Sequence, residues 1–162
     1  MSIRTRRQPG FTLIELMVVV AVVAILAMLA IPSYQDRLIR QQVAEGVALV
    51  DFVRQAVQGF YTLQHTLPID NADAGLPAAT QIVGNYVSNV TVSGGAITIT
   101  YGNRANPSLA GKQLTLRPAV VGAAPAVPIA WVCGHASVPA GMTVMGVDAT
   151  GLPMPYLPLN CR

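Results

Sequence analysis

The sequence has few of the residues from which enzymes build active sites. It contains two histidines and two cysteines among 162 residues. His65 and His135 lie far apart, without a serine or cysteine arrangement that specifies a catalytic triad. The cysteines lack the Cys-x-x-Cys spacing of a redox pair. These absences predict a protein that is not an enzyme and has no catalytic residues.

A metal site is not indicated either. Asp70 and Asp73 lie in one short segment, but this segment lacks the ligand spacing and the closing glutamate of a calcium-binding hand. We therefore predict no bound metal and no cofactor. Asn89 fits the short glycosylation acceptor pattern, yet it lies within a predicted strand.

Outside its first ten residues the chain has no net charge. The whole sequence has ten basic and seven acidic side chains, and three of the basic ones, Arg4, Arg6 and Arg7, precede Gly10. The remainder therefore has 10 − 3 = 7 basic and seven acidic side chains. A nucleic-acid partner requires a clustered positive surface. Three basic residues in one region form only a weak footprint for DNA: Arg104, Lys112 and Arg117.

In contrast, the N-terminus contains a long apolar run. A basic leader, residues 1–10, is followed by 21 residues from Phe11 to Ile31 that contain a single acidic residue, Glu15. As a helix this run would rise about 31 Å, roughly one hydrocarbon thickness. Positive residues beside an apolar span hold that end in the cytoplasm. An ionised side chain in a membrane segment costs about 2.5–3.5 kcal/mol on insertion scales, so Glu15 is predicted to be functional.

Two simple interpretations of this run remain open. A plain transmembrane anchor fits its length. An ordinary secretory signal fits the basic start and the small residues at 27–30. Against a secretory signal, Glu15 would interrupt the apolar region, and the region is longer than such signals need.

The residues at the junction resemble the processing and assembly motif of type IV prepilins: Gly10-Phe11-Thr12-Leu13-Ile14-Glu15-Leu16. The resemblance implies that a membrane peptidase cleaves between Gly10 and Phe11 and that Phe11 becomes an N-methylated terminus. It also implies a partner for Glu15, because the freed ammonium of Phe11 in a neighbouring subunit can neutralise the carboxylate.

The helix is predicted to continue to about residue 63, giving one helix over 11–63 whose first part, 11–31, forms the membrane segment or filament core. Pro32 is expected to interrupt this helix rather than end it. Beyond it, apolar residues recur every three or four positions and predict one buried face. These residues are Ile39, Val43, Val47, Val50, Val53, Val57 and Phe60.

Residues 64–162 are predicted to form a globular domain. It begins with a loop rich in proline and glycine, followed by alternating apolar residues that indicate strands. The predicted strands cover residues 86–92, 96–101, 112–118 and 127–133, and the first two form a hairpin across Gly94 and Gly95. The fold class is therefore α+β, with a long N-terminal helix packed on a four-stranded antiparallel sheet. This order also resembles the pilin fold.

Cys133 and Cys161 bracket the C-terminal region. Because the periplasm is oxidising, pairing is the simplest expectation, with two free thiols as the alternative. The residues 131–134 and the ending Tyr156-Leu157-Pro158-Leu159-Asn160-Cys161-Arg162 resemble the disulfide-bounded region of type IVa major pilins.

The resemblance implies a structural subunit of a type IV pilus, used in attachment, twitching motility and DNA uptake. Its implied partners are other copies in a helical filament, the prepilin peptidase and methylase, the pilus assembly platform, and host or abiotic surfaces. The prepilin would lie in the inner membrane of a Gram-negative bacterium, and the processed subunit in the extracellular pilus. The alternatives are a minor pilin, a type II secretion pseudopilin, and a monotopic membrane-anchored periplasmic binding domain.

Overall fold

The computed structural model describes residues 10–122, 124 and 127–162. The predicted leader therefore lies outside the described residues, apart from Gly10. The chain divides into two compact units, residues 1–36 and 37–162. The first contains the start of the long helix, and the second contains the rest of the helical region and the sheet.

The first helix, α1, spans Leu13–Leu49, and the second, α2, spans Asp51–Gln64. The helical region begins two residues later than predicted because Thr12 acts as its cap. The Thr12 hydroxyl accepts from the backbone N–H of Glu15 at 3.3 Å, and its carbonyl accepts from the N–H of Leu16 at 3.2 Å. Residue 32 is a proline, and α1 continues through it as predicted.

The predicted long N-terminal helix is confirmed, with one local break at Val50. This residue adopts a turn conformation, with φ −89° and ψ 9°, and separates α1 from α2. Its carbonyl accepts from the N–H of Arg54 at 3.0 Å, so helical hydrogen bonding resumes at once. Beyond Gln64, His65 takes a left-handed conformation and donates its N–H to the Tyr61 carbonyl at 2.9 Å, which ends α2.

Five strands form one antiparallel sheet. They are β1 Val87–Ser93, β2 Ala96–Tyr101, β3 Gln113–Val120, β4 Ala130–Cys133 and β5 Thr143–Val144. The order is β1-β2-β3-β4, and β5 pairs with β3. The α+β fold and the four main strands were predicted correctly, and the fifth was missed because only two residues pair.

Pro118 explains how β5 joins the sheet. The prediction ended a strand at this proline, but β3 continues to Val120. In a strand, the N–H and the C=O of one residue point to the same neighbouring strand. The Pro118 nitrogen, which has no hydrogen to donate, therefore faces the same neighbouring strand as the Pro118 carbonyl. The last pair between β2 and β3 is Ile97 with Leu116, and the Pro118 carbonyl accepts from the N–H of Met145 at 2.8 Å. From Pro118 onwards, β3 therefore pairs on this side with β5 instead of β2.

The core of the second unit lies between its helices and one face of the sheet. Five of the seven predicted stripe residues are buried, and Val47 and Phe60 are only half-buried, with Tyr61 buried instead. The buried stripe residues are Ile39, Val43, Val50, Val53 and Val57. The sheet contributes apolar side chains to the same cluster, among them Val90, Ile97, Ile99, Leu114 and Leu116.

A close contact between helix and sheet involves Tyr101 and Gly46. The fully buried Tyr101 hydroxyl donates to the Val43 carbonyl at 3.0 Å, and burial raises the pKa of its phenol well above the usual value. A Cβ atom added to Gly46 would lie 2.7 Å from Cε1 of the Tyr101 ring. Only a residue without a side chain lets the ring pass this close to the helix.

Substitution by alanine should therefore have opposite effects on stability at two helical glycines. Gly46→Ala should lower the free energy of unfolding by about 1–2 kcal/mol, because the buried Tyr101 ring cannot move away. Gly59→Ala should raise it by about 0.5–1 kcal/mol, because a Cβ there meets no atom within 4 Å and alanine favours the helix. Chemical denaturation of the detergent-solubilised chain measures both, and a stabilising Gly46→Ala would contradict the described contact.

Candidate functional site

The N-terminal part of α1 is apolar and uncovered. Every side chain from Phe11 to Leu29 is exposed, and Phe11 retains 81% of its accessible surface. By length and composition this is a helix that could cross a membrane. Water does not favour such a surface, so the segment requires lipid or other protein chains around it.

Glu15 lies in the first turn of this helix, three residues after the cap Thr12. This spacing is that of a capping box, in which an acidic residue near the amino end also interacts favourably with the helix dipole. That interaction contributes about 0.3–1 kcal/mol, against a membrane insertion cost of about 2.5–3.5 kcal/mol. Within the described residues the carboxylate has no ion-pair partner. The local helix start therefore offsets only part of the cost.

The peptide bond between Gly10 and Phe11 is accessible. Both residues are exposed and precede the helix, which begins at Leu13. A Cβ added to Gly10 would meet no atom within 4 Å. The structure therefore places an uncovered, non-helical peptide bond five residues before the carboxylate of Glu15.

The predicted disulfide between Cys133 and Cys161 is present, with a Cα–Cα distance of 4.5 Å. It joins the end of β4 to the C-terminus and closes a loop with a sequence separation of 28. In the chain-entropy model a loop of this length adds about 3.5 kcal/mol to the stability. Cys161 is fully buried, and its carbonyl accepts from the N–H of His135 at 3.1 Å.

A polar network that the sequence analysis missed holds this disulfide-bounded region against β3. Arg117 donates from Nη2 to the Gly134 carbonyl at 2.9 Å and lies 3.7 Å from Oδ2 of Asp148. His135 Nδ1 lies 3.2 Å from the same carboxylate oxygen. Burial by itself raises the pKa of Asp148, but hydrogen bonds from Thr150 and the charges of Arg117 and His135 lower it below its usual value.

Asn71 is a second residue that the sequence analysis missed. Its side chain is buried and makes three hydrogen bonds: Nδ2 donates to the carbonyls of Pro77 at 3.2 Å and Val90 at 3.1 Å, and Oδ1 accepts from the N–H of Val92 at 2.7 Å. Two of these partners lie on β1, which is an edge strand. Asn71 thus attaches the loop after α2 to backbone groups of β1 that would otherwise be free to pair with a strand of another chain.

The histidines and aspartates that the sequence analysis considered as catalytic or metal-binding candidates make local contacts within the fold. His65 ends α2, and His135 contacts Asp148. Asp73 accepts from the N–H of Ile69 at 2.9 Å. Among the described residues, no group of three or more histidine, cysteine or acidic side chains could hold a metal ion.

The structure also weakens the predicted basic footprint. The Arg117 guanidinium is turned towards Gly134 and Asp148, and its side chain is only 17% exposed. Arg104 and Lys112 remain exposed. Two of the three basic residues on which the predicted DNA footprint was based are therefore exposed, so the footprint is weaker than the sequence indicated.

Family comparisons match both units of the chain. A family described as pilin, a bacterial filament protein, matches residues 40–162. A second family, described as the prokaryotic N-terminal methylation motif, matches residues 5–31. The second match includes the Gly10–Phe11 bond and Glu15.

Curated relatives are similar over most of the sequence. The chain is 37% identical to the type IV major pilin protein PilE of Neisseria gonorrhoeae, over 96% of this chain and 94% of the relative. It is 35% identical to the fimbrial protein EcpC of Eikenella corrodens, over 96% and 91%. It is 36% identical to a fimbrial protein of Dichelobacter nodosus, over 71% and 83%.

The network around Asp148 predicts a pH-dependent contribution to stability. Because its pKa is lower in the folded chain than in the unfolded one, the contribution is present above the usual carboxyl pKa and is lost as the pH falls through the folded value. Asp148→Asn should therefore cost up to about 1 kcal/mol at neutral pH, since solvent screens a partly exposed pair. The difference from the wild type should vanish in acid.

Denaturant titrations across this pH range measure the difference. Asp51→Asn is a matched control, because Asp51 pairs with Arg54 at the surface of α2, where solvent screens the pair. A cost of Asp148→Asn that stayed constant from neutral to acid pH would contradict the role of the Asp148 charge.

Proposed function

We propose that this chain, which belongs to the pilin family, is the major structural subunit of a type IV pilus and acts by assembly rather than by catalysis. The observation that carries the proposal is the uncovered apolar helix with one carboxylate in its first turn, directly after the exposed Gly10–Phe11 bond. The relatives named as major pilins extend over both units, which favours this role over a minor pilin, a pseudopilin or a monotopic binding domain.

The chain would first be inserted in the inner membrane of a Gram-negative bacterium. Its basic leader would remain in the cytoplasm, because positive residues beside an apolar span favour that side. A prepilin peptidase would then cleave after Gly10 and methylate the new amino group of Phe11. The exposure of both residues supports this step, since a protease requires an accessible peptide.

Cleavage would supply the cation that Glu15 lacks. The new ammonium of Phe11 would pair with Glu15 of a neighbouring copy when the apolar helices pack together. In a medium of low dielectric, an ion pair offsets much of the desolvation cost, whereas an unpaired carboxylate remains costly. The leader would therefore prevent premature assembly, because an amide nitrogen carries no charge.

The two units would have different roles in the filament. The helix over 11–31 would leave the membrane and form the filament core, with the help of an assembly platform. The second unit would form the outer surface, where it meets host or abiotic surfaces during attachment and twitching motility. DNA uptake is supported only by the exposed Arg104 and Lys112.

Two substitutions of Glu15 distinguish the role of its charge from its role in capping the helix. Glu15→Gln keeps a side chain that fits the capping box but removes the charge, whereas Glu15→Ala removes both. Both variants should insert in the membrane and lose most surface filaments, by about tenfold or more, because one ion pair per subunit is missing. Filaments sheared from cells and counted by electron microscopy measure this loss.

The intact mass of the subunit provides the control for processing. The wild-type filament subunit should lack residues 1–10, carry one added methyl group and lack two hydrogens because of the disulfide. Gln-variant filaments as abundant as the wild type would show that the Glu15 charge is not required. Recovery of only the unprocessed wild-type chain, confined to membranes, would overturn the proposed function itself.

A further inference from the structure

Exposed charges of opposite sign lie at the two ends of the second unit. One end, here called the basic end, contains four exposed cations: Arg37, Arg40, Arg104 and Lys112. The N–H of Asn106 donates to Oε1 of Gln42 at 2.9 Å, which brings the segment after Arg104 to the start of this unit's helix. Lys112 is next to the end of β2, because its carbonyl accepts from the N–H of Tyr101 at 2.9 Å.

The opposite end, here called the acidic end, contains Asp70 and Asp73, both exposed. They lie in the loop after α2 and next to the β1–β2 turn, since the Ile69 carbonyl accepts from the N–H of Gly94 at 3.1 Å. Asp73 accepts from the N–H of Ile69 and Asp70 from the N–H of Asp73, both at 2.9 Å. These bonds hold the loop while each carboxylate keeps a second oxygen that can bind a partner.

Two further features make the acidic end attractive to cations. The last turn of α2 contains no lysine or arginine, so the partial negative charge of its carboxyl end is not balanced there. In the sequence, no lysine or arginine occurs between Arg54 and Arg104. The segment that forms the acidic end, residues 55–103, therefore contributes two carboxylates and no lysine or arginine.

The ends are separated by the length of the strands. In β2, Ala96 follows the turn at the acidic end, and Tyr101 reaches Val43 at the basic end. Two further cations have acidic partners: Arg54 pairs with Asp51, and Arg117 lies beside Asp148. At the basic end the four cations outnumber the nearby carboxylates: Asp36 directly precedes Arg37 on the helix, and Glu45 accepts a hydrogen bond from Asn85 at 3.3 Å.

We propose that the acidic end binds the basic end of a second copy of this chain. The inference rests on the proposed function, because a filament requires a contact between two different surfaces that repeats without closing. Self-pairing of either end would bring like charges together, whereas head-to-tail contact brings the carboxylates of Asp70 and Asp73 to arginine and lysine side chains. The contact sets the order and register of neighbouring copies.

A variant that removes both carboxylate charges of the acidic end, compared with a matched control, tests this contact. Asp70→Asn with Asp73→Asn raises the net charge by two and keeps one acceptor oxygen on each side chain for the loop hydrogen bonds. Ser137→Lys with Ala140→Lys adds the same two charges at exposed positions of the disulfide-bounded region. At physiological ionic strength, the aspartate variant should yield about threefold fewer sheared filaments than the control.

A zero-length carbodiimide cross-link tests the geometry, because it joins a carboxylate only to an amine in direct contact. The chain has one lysine, Lys112, and Arg40→Lys supplies a second amine at the basic end. In purified filaments, mass spectrometry should find a peptide that links Asp70 or Asp73 to one of these lysines. Within a single copy these groups lie at opposite ends, so such a link identifies contact between copies.

The results of these experiments distinguish a failure of the head-to-tail contact from a failure of the proposed function. Equal filament yields from the aspartate variant and its control, or filaments that give no link from Asp70 or Asp73, would overturn the head-to-tail contact while leaving the pilus assignment intact. Failure of the wild type to form filaments would overturn the assignment, and the inference with it.

Discussion

One carboxylate on an uncovered apolar helix constrains the rest of this molecule. Glu15 lies in a segment whose side chains are all exposed, so the segment needs a surrounding of lipid or protein. In either surrounding the charge is costly, and the capping interaction at the helix start is too small to offset that cost. The proposed assembly resolves the conflict with a cation that exists only after the leader is removed.

The second unit has a different physical problem, because a small domain must be held together by its own contacts. Its helices contact the sheet closely through Tyr101 and Gly46, the disulfide closes the C-terminal region, and Arg117 and Asp148 hold that region on β3. Asn71 satisfies groups on the edge strand β1. Protection of this edge matters in a filament, because subunits at high local concentration could otherwise pair through their strands.

Sequence analysis predicted the features that depend on neighbouring residues or on regular spacing. The buried helix face follows a helical period, and the N-terminal methylation motif is a contiguous run whose cleavage and assembly roles remain predictions. The features that it missed depend on contacts distant in sequence. Asn71 bonds to residues 19 and 21 positions away. The pairing of Arg117 with Asp148 and the two-residue strand β5 likewise require the fold to be known, as does the burial of Tyr101 against the helix.

A structure of the assembled filament tests the proposed ion pair between Phe11 and Glu15 most directly. In the native filament at side-chain resolution, we expect the methylated nitrogen of Phe11 in one subunit to lie within about 4 Å of a Glu15 carboxylate oxygen in a neighbour. A filament in which Glu15 is paired with another group, or in which the Phe11 nitrogen lies far from every Glu15, would contradict it.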